Sequence, residues 1–84
     1  MNYRIEIDRS ARKGLEALDG SVHGRVVAAI RALASDPRPS GSLKMVGRDA
    51  WRIRIGSYRV VYEIHDQILI VTVIDVGHRK EVYR

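Results

Sequence analysis

The stretch that decides the fold of this chain is Trp51-Arg52-Ile53-Arg54-Ile55-Gly56-Ser57-Tyr58-Arg59-Val60-Val61-Tyr62. Apolar and polar side chains alternate on both sides of Gly56-Ser57. A glycine at the first position of a two-residue loop is typical of a type II′ β-hairpin. The stretch therefore predicts a hairpin whose strands are residues 50–55 and 58–64.

The predicted hairpin has one apolar face and one basic face, because directly opposed residues point to the same side of a sheet. The apolar face consists of Trp51, Ile53, Ile55, Tyr58, Val60 and Tyr62. The other face carries Arg52, Arg54 and Arg59, with Arg54 opposite Arg59. Like charges at opposed positions destabilise a sheet, so this face indicates an anion-binding surface, and planar guanidinium groups suit phosphate. The alternative is a solvated face with partners such as Glu63.

The length and composition indicate one small basic domain spanning residues 1–84. The 15 Lys and Arg against 10 Asp and Glu give a net charge of +5, which favours a nucleic acid or an acidic protein as partner. Cysteine is absent, so no disulfide or thiolate metal site is predicted. No apolar run approaches about 18 residues and the N-terminal segment has the pattern of a strand, so we expect a cytoplasmic protein without a membrane partner.

Upstream of the hairpin, the pattern predicts a strand at 3–8 and two antiparallel helices. Asp8 or Ser10 is the expected N-cap of the first helix, with Gly20 ending it and Ser21 capping the second. The expected apolar stripes are Ala11, Leu15 and Leu18 on the first helix and Val22, Val26, Ala29, Ile30 and Leu33 on the second.

Downstream, residues 40–49 form a connector in which we expect Leu43 and Met45 to contact the core. A turn is predicted at 65–67. The run 68–76 is almost uniformly apolar, which is typical of a central strand covered on both faces and leaves its register open. The predicted fold class is α+β, a single β-α-α-β-β-β domain with a helical hairpin on one face of a mainly antiparallel sheet.

The C-terminal tail adds chemical groups to the basic face. Arg79 joins the three arginines if the last strand lies beside residues 58–64. Tyr83 is a candidate for stacking on a base, although a terminal tyrosine also packs at sheet edges. His78 is the candidate group that titrates near neutral pH, with an ordinary surface role as the alternative. No phosphate-binding glycine loop, HExxH or acidic pair with metal spacing is present, which leaves metal-independent chemistry or simple binding.

Two motifs together resemble the RelE branch of the RelE/ParE toxin superfamily. They are the strand pattern GxYRVxYEI within Trp51–Ile64 and the ending VGHRxxVY within Val73–Tyr83. The resemblance covers nearly the whole chain and implies a ribosome-dependent endoribonuclease that cuts mRNA in the A site by 2′-OH attack, without a metal or other cofactor. It also implies a cognate antitoxin, RelB-like or of another small family, and operator DNA binding only through the toxin–antitoxin complex.

The resemblance assigns two sets of residues. The catalytic set is Arg59, Arg79, Tyr83 and His78, and the RNA-binding set is Arg52 and Arg54, to which we add Lys44 and Lys80 as predicted RNA contacts. Well-known relatives carry lysine in place of Arg52 and Arg54. Because arginine does not release its proton, His78 or Tyr83 would have to transfer protons here. The alternatives are a ParE-like inhibitor of DNA gyrase and a degenerate toxin that only binds its antitoxin and operator.

Overall fold

The computed structural model describes residues 2–78, so the predicted site residues Arg79, Lys80 and Tyr83 lie outside the described range. Within it, the chain forms two helices and five strands. In order these are β1 (Arg4–Ile7), α1 (Arg9–Glu16), α2 (Gly20–Ala32), β2 (Leu43–Lys44), β3 (Trp51–Ile55), β4 (Tyr58–His65) and β5 (Ile70–His78).

The strands form one mixed sheet in the order β1-β5-β4-β3-β2. β1 pairs with β5 in parallel and the other neighbours are antiparallel. Both helices contribute to the core on one side of the sheet, and we call the other side the open face. This architecture confirms the predicted fold class. Neither described helix is long and apolar enough to cross a membrane.

The β3–β4 hairpin has the predicted turn and register. Gly56 has a φ of +60°, as the first position of a type II′ turn requires. Arg54 lies opposite Arg59, and the pairing continues without a break to Trp51 opposite Tyr62. All six residues of the predicted apolar face belong to the core or pack against it. The apolar face of the hairpin is therefore turned toward the core, as the sequence predicts.

The connector at 40–49 differs from the prediction. Two of its residues form the edge strand β2, in which Leu43 pairs with Arg52. That pairing turns Leu43 away from the core, where 52% of it remains exposed. The expectation that Leu43 contacts the core is therefore wrong.

Aspartates cap both helices. Asp8 Oδ1 accepts a hydrogen bond from the Ser10 backbone N–H at 2.9 Å, and Asp19 Oδ1 accepts one from Val22 at 3.4 Å. The predicted roles of Gly20 and Ser21 are wrong, because Asp19 has the extended backbone of an N-cap and Gly20 is already the first residue of α2.

The last strand begins and ends two residues later than predicted. Ile68 is 65% exposed, and Leu69 has a left-handed φ of 54° that places both residues in the turn. β5 lies inside the sheet and the helices cover one of its faces, whereas coverage of its other face stays a prediction. Its buried residues are Val71, Val73 and Val76.

A β-bulge interrupts the pairing of β4 with β5. Val61 pairs with Asp75 and the next residue, Tyr62, pairs with Val73, so Ile74 is an extra residue on β5. The bulge shifts the alternation of side chains along β5 by one position. As a result Asp75 lies on the open face and Val76 lies in the core.

A polar cluster around Asp66 joins three separate parts of the chain. The Asp66 carboxylate accepts hydrogen bonds from Tyr3 Oη at 2.5 Å and from both Arg38 Nη atoms at 2.8 and 3.3 Å. The Arg38 guanidinium lies 5.3 Å from the centre of the Trp51 ring, within cation–π range. Nearby, the buried Tyr62 hydroxyl donates to the Pro37 carbonyl at 2.8 Å, and burial raises the pKa of Tyr62 to about 12. These contacts fix the ends of β1, α2 and β4 to one another.

We expect the Asp66 cluster to make stability sensitive to acid. The hydrogen bonds from Arg38 and Tyr3 lower the pKa of Asp66 from 3.8 to about 2. The carboxylate therefore stabilises the fold above about pH 4, and this contribution is lost as the pH falls toward 2. Asp66→Asn should be less stable than the wild type at pH 7 and should lose less stability between pH 4 and 2, as measured by thermal unfolding. Asp49→Asn removes a carboxylate whose side chain is 96% exposed and serves as the control. An identical acid response of Asp66→Asn and the wild type would contradict this role.

Candidate functional site

The open face carries the three arginines predicted from the hairpin. Arg52 and Arg54 come from β3, and Arg59 comes from β4 directly opposite Arg54. Arg54 is exposed and Arg52 is half-buried. Two guanidinium groups on one face of a strand, separated by one residue, have a spacing that suits successive phosphates of a nucleic acid.

Arg59 differs from the expectation of an exposed cluster, because its side chain is 0% exposed. β4 has hydrogen-bonded neighbours on both sides, and Arg59 lies between Arg54 and Gly77 of these strands. Arg52 and Arg59 both interact with other groups of the protein. Because a buried guanidinium keeps its charge, a phosphate can contact Arg59 only where its present interactions give way.

His78 does not lie on the open face. It pairs with Tyr58, and the two ring centres are 5.7 Å apart in an edge-to-face arrangement. His78 and Tyr58 border a cavity of about 320 Å³ on the helix side, together with Gly14 and Leu18 of the helical layer. His78 faces the helices because successive residues of a strand point to opposite sides of the sheet. Gly77, which pairs with Arg59, is on the open face, so His78 is on the other side. The structure therefore separates His78 from the arginines with which the sequence grouped it.

Lys44 lies at the margin of the site. It pairs with Trp51 and so projects from β2 on the side opposite to Arg52, and its Nζ lies 3.5 Å from Asp49 Oδ1. Lys44 and Arg52 nevertheless border the same edge cavity of about 240 Å³. An extended ligand on the arginines can therefore reach Lys44 at the edge of the sheet.

Sequence reasoning missed a third cavity, of about 320 Å³, on the open face. We call it the bulge cavity. Its lining comprises the carboxylates Asp8, Glu63 and Asp75, the guanidinium of Arg48, and apolar Met45, Val61 and Ile74. Glu63 Oε1 lies 3.3 Å from His65 Nε2. A uniformly apolar strand gives no sign of a bulge, so the sequence offered no signal that Asp75 would join this face.

Comparison with known proteins identifies the class to which this fold and basic face belong. Residues 5–83 match the sequence model of the ParE toxin of type II toxin–antitoxin systems, parDE. The chain therefore belongs to this family, within the RelE/ParE superfamily of toxins.

Individual relatives with similar sequence or structure include toxin RelG and RelE toxins. The chain is 30% identical to toxin RelG of Mycobacterium tuberculosis over 86 residues, covering 100% of this chain and 99% of RelG. A mutant of the Escherichia coli toxin RelE in the free state superposes with a TM-score of 0.82 at 31% identity, covering 99% of this chain and 92% of that one. RelE in the archaeal RelE–RelB complex from Pyrococcus horikoshii gives a TM-score of 0.83 at 26% identity, with 94% and 97% covered.

Proposed function

We propose that this type II toxin is a ribosome-dependent endoribonuclease that cleaves mRNA in the A site. The observation that carries the proposal is the register of the hairpin, which places Arg54 directly opposite Arg59 on the open face. Like charges at directly opposed positions disfavour a sheet, and the phosphates of RNA are anions that would contact this pair where the present interactions of Arg59 give way. The resemblance of the sequence to the RelE branch supports RNA rather than another polyanion, and similar toxins carry the RelE name.

In the proposed reaction the ribose 2′-OH loses its proton and attacks the adjacent phosphate, without a metal ion. The bond from phosphorus to the 5′-oxygen of the next nucleotide breaks, and that leaving oxygen takes up a proton. Negative charge grows on the phosphate oxygens, and we assign its stabilisation to Arg59 and Arg79. Arg52 and Arg54 hold the flanking backbone and share in that stabilisation, with Lys44 and Lys80 as further phosphate contacts. Tyr83 transfers a proton or stacks on a base. We leave His78 out of this set because it faces the helices.

The proposed physiological partner is a RelB-like antitoxin. Solved complexes of similar toxins with RelB come from Pyrococcus horikoshii, Mycobacterium tuberculosis and Escherichia coli. In this chain a partner that contributes carboxylates would neutralise Arg52 and Arg54 on the open face. Operator DNA would then be bound through the complex and not by the toxin alone.

A pair of assays on one purified sample tests the proposed target. We expect the protein to stop synthesis in a translation extract within minutes and to leave mRNA cut within codons. A supercoiling assay with DNA gyrase should remain unaffected. Inhibited supercoiling with intact mRNA would instead establish the ParE-like activity, which the match to the ParE family model makes the second candidate. Binding to the antitoxin without either activity would identify a degenerate toxin.

A further inference from the structure

The bulge on β5 determines which side chain of this strand reaches the open face. Val71 and Val73 face the helices, so regular alternation would turn Asp75 to the same side. The extra residue Ile74 reverses that order, and Asp75 instead lies opposite Val61 on the open face. Bulges next to functional sites commonly redirect a side chain in this way. This bulge brings a carboxylate onto the face that carries Arg52, Arg54 and Arg59.

The redirected carboxylate lies in line with an arginine. Arg52 of β3, Val61 of β4 and Asp75 of β5 form one row of paired residues across three strands. Two strand spacings separate the ends of this row by about 10 Å. A phosphate is attracted to the arginine end and repelled from the carboxylate end. A nucleotide bound along the row therefore places its phosphate near Arg52 and its base toward Asp75.

The bulge cavity lies at the carboxylate end of this row and suits a nucleobase. Its volume of about 320 Å³ is at the small end of ligand pockets, which span roughly 300–1,000 Å³. Val61, Ile74 and Met45 provide apolar surface for the faces of a base, and Arg48 and the carboxylates provide polar groups for its edges. The chemistry of the lining is thus mixed, as base recognition requires.

Among the three carboxylates, Asp75 is the available acceptor. Asp8 caps α1 through Ser10, and Glu63 contacts His65. Within residues 2–78, the Asp75 carboxylate accepts no hydrogen bond and forms no ion pair. An ionised carboxylate accepts hydrogen bonds and cannot donate them, so it selects a base edge that carries donors.

We propose that the bulge cavity is a nucleobase subsite that selects a base with an exocyclic amino group, which donates to Asp75. Adenine, cytosine and guanine carry such a group and uracil does not. The subsite rests on the proposed RNA-cleaving function, and it adds base selectivity to phosphate binding that is itself indifferent to sequence.

Binding of uncleavable RNA to the purified full chain tests this subsite. The probes are 2′-O-methylated trinucleotides, which lack the attacking hydroxyl. One probe carries adenine at all three positions. The other carries unsubstituted purine, which is adenine without its exocyclic amino group, at all three positions. We expect the wild type to bind the adenine probe roughly 10- to 100-fold more tightly, the range for a hydrogen bond to a charged group. Cytosine against uracil trinucleotides should show the same preference.

Two variants assign the preference to the cavity. Asp75→Val removes the acceptor with a residue suited to a strand and should bind both purine probes equally. Asp49→Asn makes the same change of charge at an exposed position that does not border the cavity, so it should keep the ratio of the two affinities. If Asp75→Val unfolds, Asp75→Asn should still reduce the ratio, because a neutral amide is a weaker acceptor.

The outcomes separate the subsite from the proposed function. Equal binding of both probes by the wild type, or a ratio retained in Asp75→Val or Asp75→Asn, would overturn the subsite and leave RNA cleavage intact. Failure of the wild type to bind any trinucleotide, together with intact mRNA in the translation extract, would overturn both.

Discussion

Arg59→Lys should slow RNA cleavage by a factor of roughly 10²–10³, the usual loss when one preorganised hydrogen-bond donor is removed from a site. Lysine keeps the positive charge but loses the planar fork that binds two phosphate oxygens together. Lysine also has most of the volume of arginine. The sheet should therefore stay folded although the side chain of Arg59 is fully buried. Single-turnover cleavage of ribosome-bound mRNA measures this rate. We expect Arg79→Ala to have a comparable effect.

Two further variants test whether the loss of cleavage rate is specific to Arg59. Arg54→Ala removes an exposed guanidinium from the same face and should mainly weaken RNA binding and reduce its salt dependence. Arg12 lies on the exposed side of α1, so Arg12→Lys should leave the rate of RNA cleavage unchanged. Full single-turnover cleavage by a folded Arg59→Lys protein would remove Arg59 from the catalytic set. Retained antitoxin binding shows that each variant is folded.

The hairpin was predictable because its information is local. Gly56 sets the turn, the turn sets the pairing, and strict alternation sets the two faces. The helix junction was predicted wrongly because Asp19, Gly20 and Ser21 all suit helix ends, and only the backbone shows which of them caps α2. Local patterns therefore gave the elements more reliably than their boundaries.

The site was only partly predictable, for a related reason. The shared face of Arg52, Arg54 and Arg59 follows from the register of the hairpin, whereas the complete burial of Arg59 does not. The side on which His78 and Asp75 lie depends on the β4–β5 pairing and its bulge. Because β5 is apolar at nearly every position, its sequence shows no alternation from which the side of His78 or of Asp75 could be inferred.

A glycine in α1 connects the core to this bulge. Gly14 packs so closely on β5 that a Cβ atom there would overlap the Val76 carbonyl oxygen, which is backbone and cannot rotate away. Val76 is two residues beyond the bulge residue Ile74. The absence of a side chain at Gly14 lets α1 lie directly against the strand that carries Asp75.

Gly14→Ala should therefore destabilise the fold, by about 1–3 kcal/mol in the range of overpacked cores, although alanine is the better helix former. Gly24→Ala is the matched control. Gly24 lies within α2, where a Cβ atom meets nothing within 4 Å, so alanine should stabilise the helix by about 0.5–1 kcal/mol. In a domain of this size each kcal/mol shifts the melting temperature by roughly 4–8 °C, so thermal unfolding should show shifts of opposite sign for the same substitution. A higher melting temperature for both variants would mean that α1 can move away from β5. The position of Val76 would then not depend on the close approach of Gly14.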